Sequence, residues 1–154
     1  MSIFVKAQPA PGPVSRNVQW LALGYAGLLT ILALTQLYSF EDDILLFGNA
    51  LPDGFAFVAP LIVVSEVFAL PYLLRLQLSP AMRVLSMGLG WVAALSWIVW
   101  PLIFMGTAHP EHNSGLLGVG LIDVPLWWTI IAGAAMLSVI VTISKKMPSY
   151  KQRN

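Results

Sequence analysis

Between Asp53 and the first basic residue after it, the chain reads FAFVAPLIVVSEVFALPYLLR (residues 55–75), and the meaning of this stretch decides the fold. Residues 55–74 carry a single ionisable side chain, Glu66. An uninterrupted apolar run of about 20 residues matches, at 1.5 Å rise per residue, the roughly 30 Å hydrocarbon thickness of a bilayer. A helix of this composition in water would lack the polar face that solvent requires. The stretch therefore reads as a membrane-spanning helix, with bends expected at Pro60 and Pro71, which neighbouring helices can accommodate. Arg75 closes it on one side.

Working outward, three more apolar blocks of similar length appear. Residues 18–38 run from near Trp20 to Tyr38, amphipathic aromatics that favour membrane interfaces. The run is too long for an ordinary signal core and has no small-residue cleavage site after it, so it is expected to stay as a span. Residues 84–104 and 125–144 are the remaining blocks, the last beginning at Trp127 and Trp128. The expected fold is an all-α membrane protein, a bundle of four transmembrane helices over residues 16–144. Of the 154 residues 58% are apolar and 10% charged, against about 25% charged in soluble domains. Mean hydropathy is +0.79. Such a chain could not cover itself with polar surface in water.

The connections are equally legible. Residues 1–15 hold Pro9, Pro11, Gly12 and Pro13 and read as a flexible tail. Between the first two spans, Glu41, Asp42, Asp43 and Asp53 surround Ile44, Leu45, Leu46 and Phe47, the composition of a short amphipathic segment lying on the outer surface. The turn at residues 75–83 contains Ser79, an expected N-cap, followed by Pro80, suited to a first helical position. Residues 106–124 form a second, glycine-rich outer loop, and 145–154 a basic tail. All eight basic residues (Lys6, Arg16, Arg75, Arg83, Lys145, Lys146, Lys151 and Arg153) fall on the side shared by both termini and the middle turn. Six of the seven acidic residues fall on the other. The positive-inside bias makes the basic side cytoplasmic and places the chain in a plasma (inner) membrane.

Candidate chemistry is sparse. Glu66 stands near the bilayer midplane, where an ionised carboxylate is costly, so it is expected to be protonated, hydrogen-bonded within the bundle, or set beside a wet cavity. By depth, Thr30 of the first span and Ser96 or Trp97 of the third are its expected neighbours, and the carbonyl of Val67 loses its donor to Pro71. Ser86, Gly90 and Ala94, and Thr129 with Gly133, recur every four residues and are expected helix–helix seams. In the second outer loop His109, Glu111 and His112 have the residue types to hold a divalent cation, without a recognised spacing. With no cysteine, thiolate metals, iron–sulfur clusters and disulfides are excluded. The only two histidines lie in that loop, out of reach of the bundle interior, so axial haem ligation there is not expected. A net charge of +1 provides no field for nucleic acid, and no phosphate loop, nucleophile elbow or HExxH motif is present.

The acidic segment Phe40, Glu41, Asp42, Asp43, the Pro60 and Glu66 of the second span, the basic turn, and the loop Asn113, Ser114, Gly115, Leu116, Leu117, Gly118 resemble the DoxX and MauE-type group of small four-helix bacterial membrane proteins. That resemblance implies a role in redox maturation or a quinone-linked step. MauE-like members carry a cysteine pair in the late region; this chain has none, so the thiol part does not transfer. The expectation is a non-catalytic membrane subunit or accessory factor of a larger complex, with membrane lipids and other membrane subunits as partners, the latter suggested by Trp91, Trp97 and Trp100 on one exposed helix. The alternatives are a DoxX-like redox accessory binding a quinone or lipid-like ligand near Glu66, and an oligomeric transporter or channel.

The topology generates a direct test. Asp42→Cys, Ser79→Cys and His112→Cys, each placed singly in this cysteine-free chain, should react in intact cells with a membrane-impermeant thiol reagent at the first and third positions only. Labelling of Ser79→Cys from outside would overturn the orientation.

Overall fold

The computed structural model describes residues 7–8, 12–39, 57–105, 117 and 124–147. They form four helices: α1 Arg16–Tyr38, α2 Val58–Leu73, α3 Pro80–Met105 and α4 Leu126–Lys146. No extended strand occurs among the described residues. The acidic amphipathic segment and the histidine loop lie outside them, as do the ends of both tails.

The helices bury stripes and expose apolar side chains. On α1 the buried residues Val18, Ala22, Tyr25, Ala26, Leu29, Leu32, Ala33 and Gln36 recur at three- and four-residue steps. Its opposite face stays apolar while exposed, with Ile31 at 60% and Leu34 at 61% of full exposure. A helix apolar all round suits lipid. α1, α3 and α4 are long and apolar enough to cross a bilayer. α2, with 16 residues, measures about 24 Å and is compatible as a shorter fourth member.

Each helix packs on its sequence neighbour, and α1 packs on α4 more sparsely than on α2. α3 is central, flanked by α2 and α4. This position corrects the expected exposed tryptophan face: Trp97 is buried, Trp91 and Trp100 are half-buried against the core, and the Trp91 indole N–H donates to Ser144 Oγ at 3.1 Å.

Pro71 explains the α2–α3 contact. A proline inside a helix disturbs the backbone ladder around it, and here the Tyr72 N–H donates to Ser86 Oγ at 3.0 Å. The Ser86 hydroxyl in turn donates to the Phe68 carbonyl at 2.6 Å. Phe68 is the residue whose carbonyl an unbroken helix would pair with Tyr72, so a side chain of α3 completes the ladder of α2. Pro60, the third residue of α2, lies in the first turn, where N–H groups have no intrahelical acceptor; a proline there removes no ladder bond.

The turn after α2 passes through Arg75 at φ 55°, a left-handed conformation that lets the chain reverse. α3 then begins at Pro80, four residues before the expected span start, because Ser79 caps it: the Met82 N–H donates to Ser79 Oγ at 3.3 Å. The described part of the N-terminal segment docks on this turn. Gln8 N–H donates to Leu78 O at 3.1 Å, Arg83 Nη2 to Gln8 O at 2.8 Å, and Arg75 Nη2 to Gly12 O at 3.0 Å.

The small-residue seams occupy the helix interfaces. A Cβ on Gly90 would meet Ile140 Cδ1 at 3.3 Å and Ala69 Cβ at 3.6 Å, so α2, α3 and α4 converge there. A Cβ on Gly133 would lie 2.7 Å from Ile98 Cγ1 and 2.9 Å from the Trp97 carbonyl carbon. Backbone cannot yield as a flexible side chain does, so Gly133→Ala should push α4 off α3 and cost about 1–3 kcal/mol. Gly27→Ala, whose new methyl would meet nothing within 4 Å, is the control for helix propensity and should be neutral or stabilising. Thermal unfolding of both variants in detergent checks this; equal melting temperatures would contradict the α3–α4 packing.

Candidate functional site

Glu66 sits in the middle of α2 and is fully buried. The Gln36 side-chain amide of α1 donates to Glu66 Oε1 at 3.3 Å. Trp97 of α3 lies close enough to act electrostatically on the carboxyl group. Yet the two miss hydrogen-bond geometry: neither Glu66 Oε2 nor Trp97 Nε1 has a hydrogen-bond partner among the described residues. Tyr25 of α1 is also within electrostatic reach of the carboxyl, while its hydroxyl donates to the Gly90 carbonyl at 3.3 Å. Three helices therefore converge on one carboxyl group, and two buried polar atoms in this niche are left open.

Of the three neighbours expected by depth, only Trp97 takes part. Thr30 is exposed on α1, and its hydroxyl donates to Ala26 O at 2.9 Å in its own helix. Ser96 is buried but donates to Ala93 O at 2.7 Å. Both follow the usual habit of helical Ser and Thr, which satisfy themselves on the preceding turn. Gln36 replaces them. It was legible in principle, being one of only two glutamines in the first span, but its place near the helix end puts it away from the depth of Glu66. The Ser86 hydroxyl at the proline break serves the Phe68 carbonyl and not that of Val67. His109, Glu111 and His112 lie outside the described residues.

Beside this niche a cleft of about 510 Å³ separates α1 from α4. Its walls are apolar, Leu21, Leu28 and Leu32 on one side and Met136 and Val139 on the other, and Tyr25 and Trp97 lie between them. The space exists because Gly24, Ala132 and Ala135 line it where larger side chains would fill it. Its size is within the ordinary 300–1,000 Å³ of small-molecule sites. The cleft and the Glu66 carboxyl share Trp97 and Tyr25 as a common wall.

No family model, no curated protein and no solved structure matches this chain.

The open pair of polar atoms gives opposite expectations for two side chains. Glu66→Leu removes the acceptor of the Gln36 amide and should cost about 1–3 kcal/mol, the scale of a lost buried partner, with the lower end expected in a membrane. Glu66→Gln retains an acceptor and should melt near the parent. Trp97→Phe deletes an N–H that has no acceptor and should be nearly neutral. A Trp97→Phe loss as large as that of Glu66→Leu would show that the indole and the carboxyl are bonded to each other.

Proposed function

We propose that the chain is an integral membrane protein of four spans with cytoplasmic termini. In this reading it is a small non-catalytic subunit or accessory factor of a larger membrane complex, and its niche receives a lipid-soluble, quinone-like ligand. The observation that carries the reading is the apolar cleft walled by Trp97, whose buried N–H lacks an acceptor, next to a Glu66 oxygen that lacks a donor. Buried polar groups normally have partners; Trp97 belongs to the cleft wall and Glu66 lies behind it, so a ligand that moves the indole aside would supply both. A quinone carbonyl accepts from an indole N–H. Its reduced hydroxyl can donate to a carboxyl oxygen, and an isoprenoid tail suits walls of leucine, methionine and valine.

The DoxX-like redox accessory is the specific form of this reading that the cleft favours, with the protein holding the ligand and a partner supplying electrons. The exposed apolar faces of α1 and α4, including Trp20, Leu34, Trp127 and Ile131, serve lipid or an adjacent subunit equally. Transport draws no support from one carboxylate in one protomer.

Mild detergent extraction followed by mass spectrometry of co-purifying chains and small molecules is the test. A membrane partner chain and an isoprenoid quinone or similar molecule are expected. Direct titration with a short-chain benzoquinone should show binding that Trp97→Phe weakens by roughly fivefold, the worth of one hydrogen bond at the middle of its range. Binding equal in the parent, Trp97→Phe and Glu66→Leu would remove the niche from the function.

A further inference from the structure

The start of α3 carries a positive charge that no acidic side chain among the described residues is seen to pair. Arg83, the fourth residue of α3, is only 5% exposed. Its described side-chain hydrogen bond runs to a neutral backbone carbonyl, Gln8 O, leaving most of its five N–H donors for other acceptors. Arg75, at the preceding turn, is half-buried and likewise donates to a carbonyl, Gly12 O. No Asp or Glu occurs anywhere in residues 1–38, 67–110 or 124–154, so α1, α3, α4 and the segments bordering this turn have no carboxylate side chain to offer. The buried Glu66 accepts from Gln36 instead. A buried charge without a counter-ion is expensive. The start of α3 adds to the excess, since a helix N-terminus is itself the positive end of the dipole and its first turn has no acidic residue.

More positive charge gathers at the same end. Arg83 acts electrostatically on the Tyr72 hydroxyl, and that hydroxyl donates to the Met147 carbonyl at 2.6 Å. This bond brings the end of α4, with Lys145 and Lys146 exposed in its last turn, to the turn that bears the arginines. Among the described residues no anion complements this charge, and on the membrane reading the acidic residues outside them fall at the opposite end of the bundle, so an anion from outside the chain suits it. If the helices span a bilayer, their shared end lies at the headgroup layer, where phosphodiesters are the abundant anions and basic pockets between helices hold them.

We infer that Arg83 and Arg75, held in place by the carbonyls of Gln8 and Gly12, form a binding site for the phosphodiester of an anionic lipid headgroup. Guanidinium suits this role because its planar fork meets two phosphate oxygens at once. The site rests on the membrane reading but not on the cleft ligand.

The test uses the full chain, extracted from membranes and delipidated in a neutral detergent; its recovery in the membrane fraction checks the membrane reading separately. Phosphatidylglycerol added to the micelles should raise the melting temperature by several degrees, in a salt-sensitive way, whereas phosphatidylcholine should not. Arg75→Gln and Arg83→Gln should each weaken the apparent phosphatidylglycerol affinity roughly tenfold or more, the worth of a hydrogen bond to a charged group. The double variant Lys145→Gln, Lys146→Gln should retain most of it. If Arg83→Gln does not fold, Arg75→Gln and the count of lipids retained in native mass spectrometry decide. Inorganic phosphate protecting as well as phosphatidylglycerol would overturn the lipid assignment in favour of a soluble phosphate. A phosphatidylglycerol preference unchanged by Arg75→Gln would overturn the site.

Discussion

The Ser86 hydroxyl set into the break that Pro71 makes in α2 is the contact on which the rest of the arrangement depends. It is at once acceptor for the Tyr72 N–H and donor to the Phe68 carbonyl, so it fixes α2 and α3 in height as well as in distance. In a low-dielectric interior an unmet N–H and an unmet carbonyl are both costly, which makes this register the one in which neither is left open. With Ser86 placed, Gly90 falls one turn further along α3 beside Ala69 and Ile140. The three helices close on a point where the side chains of Ala69 and Ile140 pack over the bare Gly90 backbone.

That register places the chemistry. Glu66 lies six residues before Tyr72 on α2, about 9 Å along the axis, and meets Trp97 of α3 and Gln36 of α1 at that level. The close approach of α4 to α3 at Gly133, against the backbone of Trp97 itself, fixes α4 on α3. α1 packs on α2 and meets α4 only loosely. The cleft is the consequence: tight seams on α3, small residues on the facing sides of α1 and α4, and a carboxyl group behind the wall they share. Packing of small residues and polar adaptation shape these seams beside the buried apolar core.

Four helices, their order and their approximate ends were legible from residue type, because apolar run length and the period of the buried stripe are local properties. Ser79 with Pro80 announced the start of α3, since a cap and a first-turn proline act within four residues. Ser86, Gly90, Ala94, Thr129 and Gly133 were legible as seams because small residues at four-residue spacing line one helix face. The buried carboxyl at position 66 was conspicuous for its cost alone.

What only the tertiary structure decided was partnership. Depth along a helix does not specify rotation about its axis, so Thr30 and Ser96 were reasonable neighbours for Glu66 by height and wrong by direction, while Gln36 reached it with a long side chain. Trp91 and Trp100 looked like surplus aromatic surface until α3 proved to be packed between α2 and α4, while Trp97 reached Glu66 as its depth allowed. The docking of Gln8 and Gly12 on Arg83 and Arg75 joins residues more than sixty positions apart, and no local pattern encodes such a bond. Sequence alone determined which segments prefer lipid, because transfer free energy belongs to each side chain. The folded chain determined which polar atoms meet and which stay open, because hydrogen bonding depends on distance and angle between segments that only packing brings together.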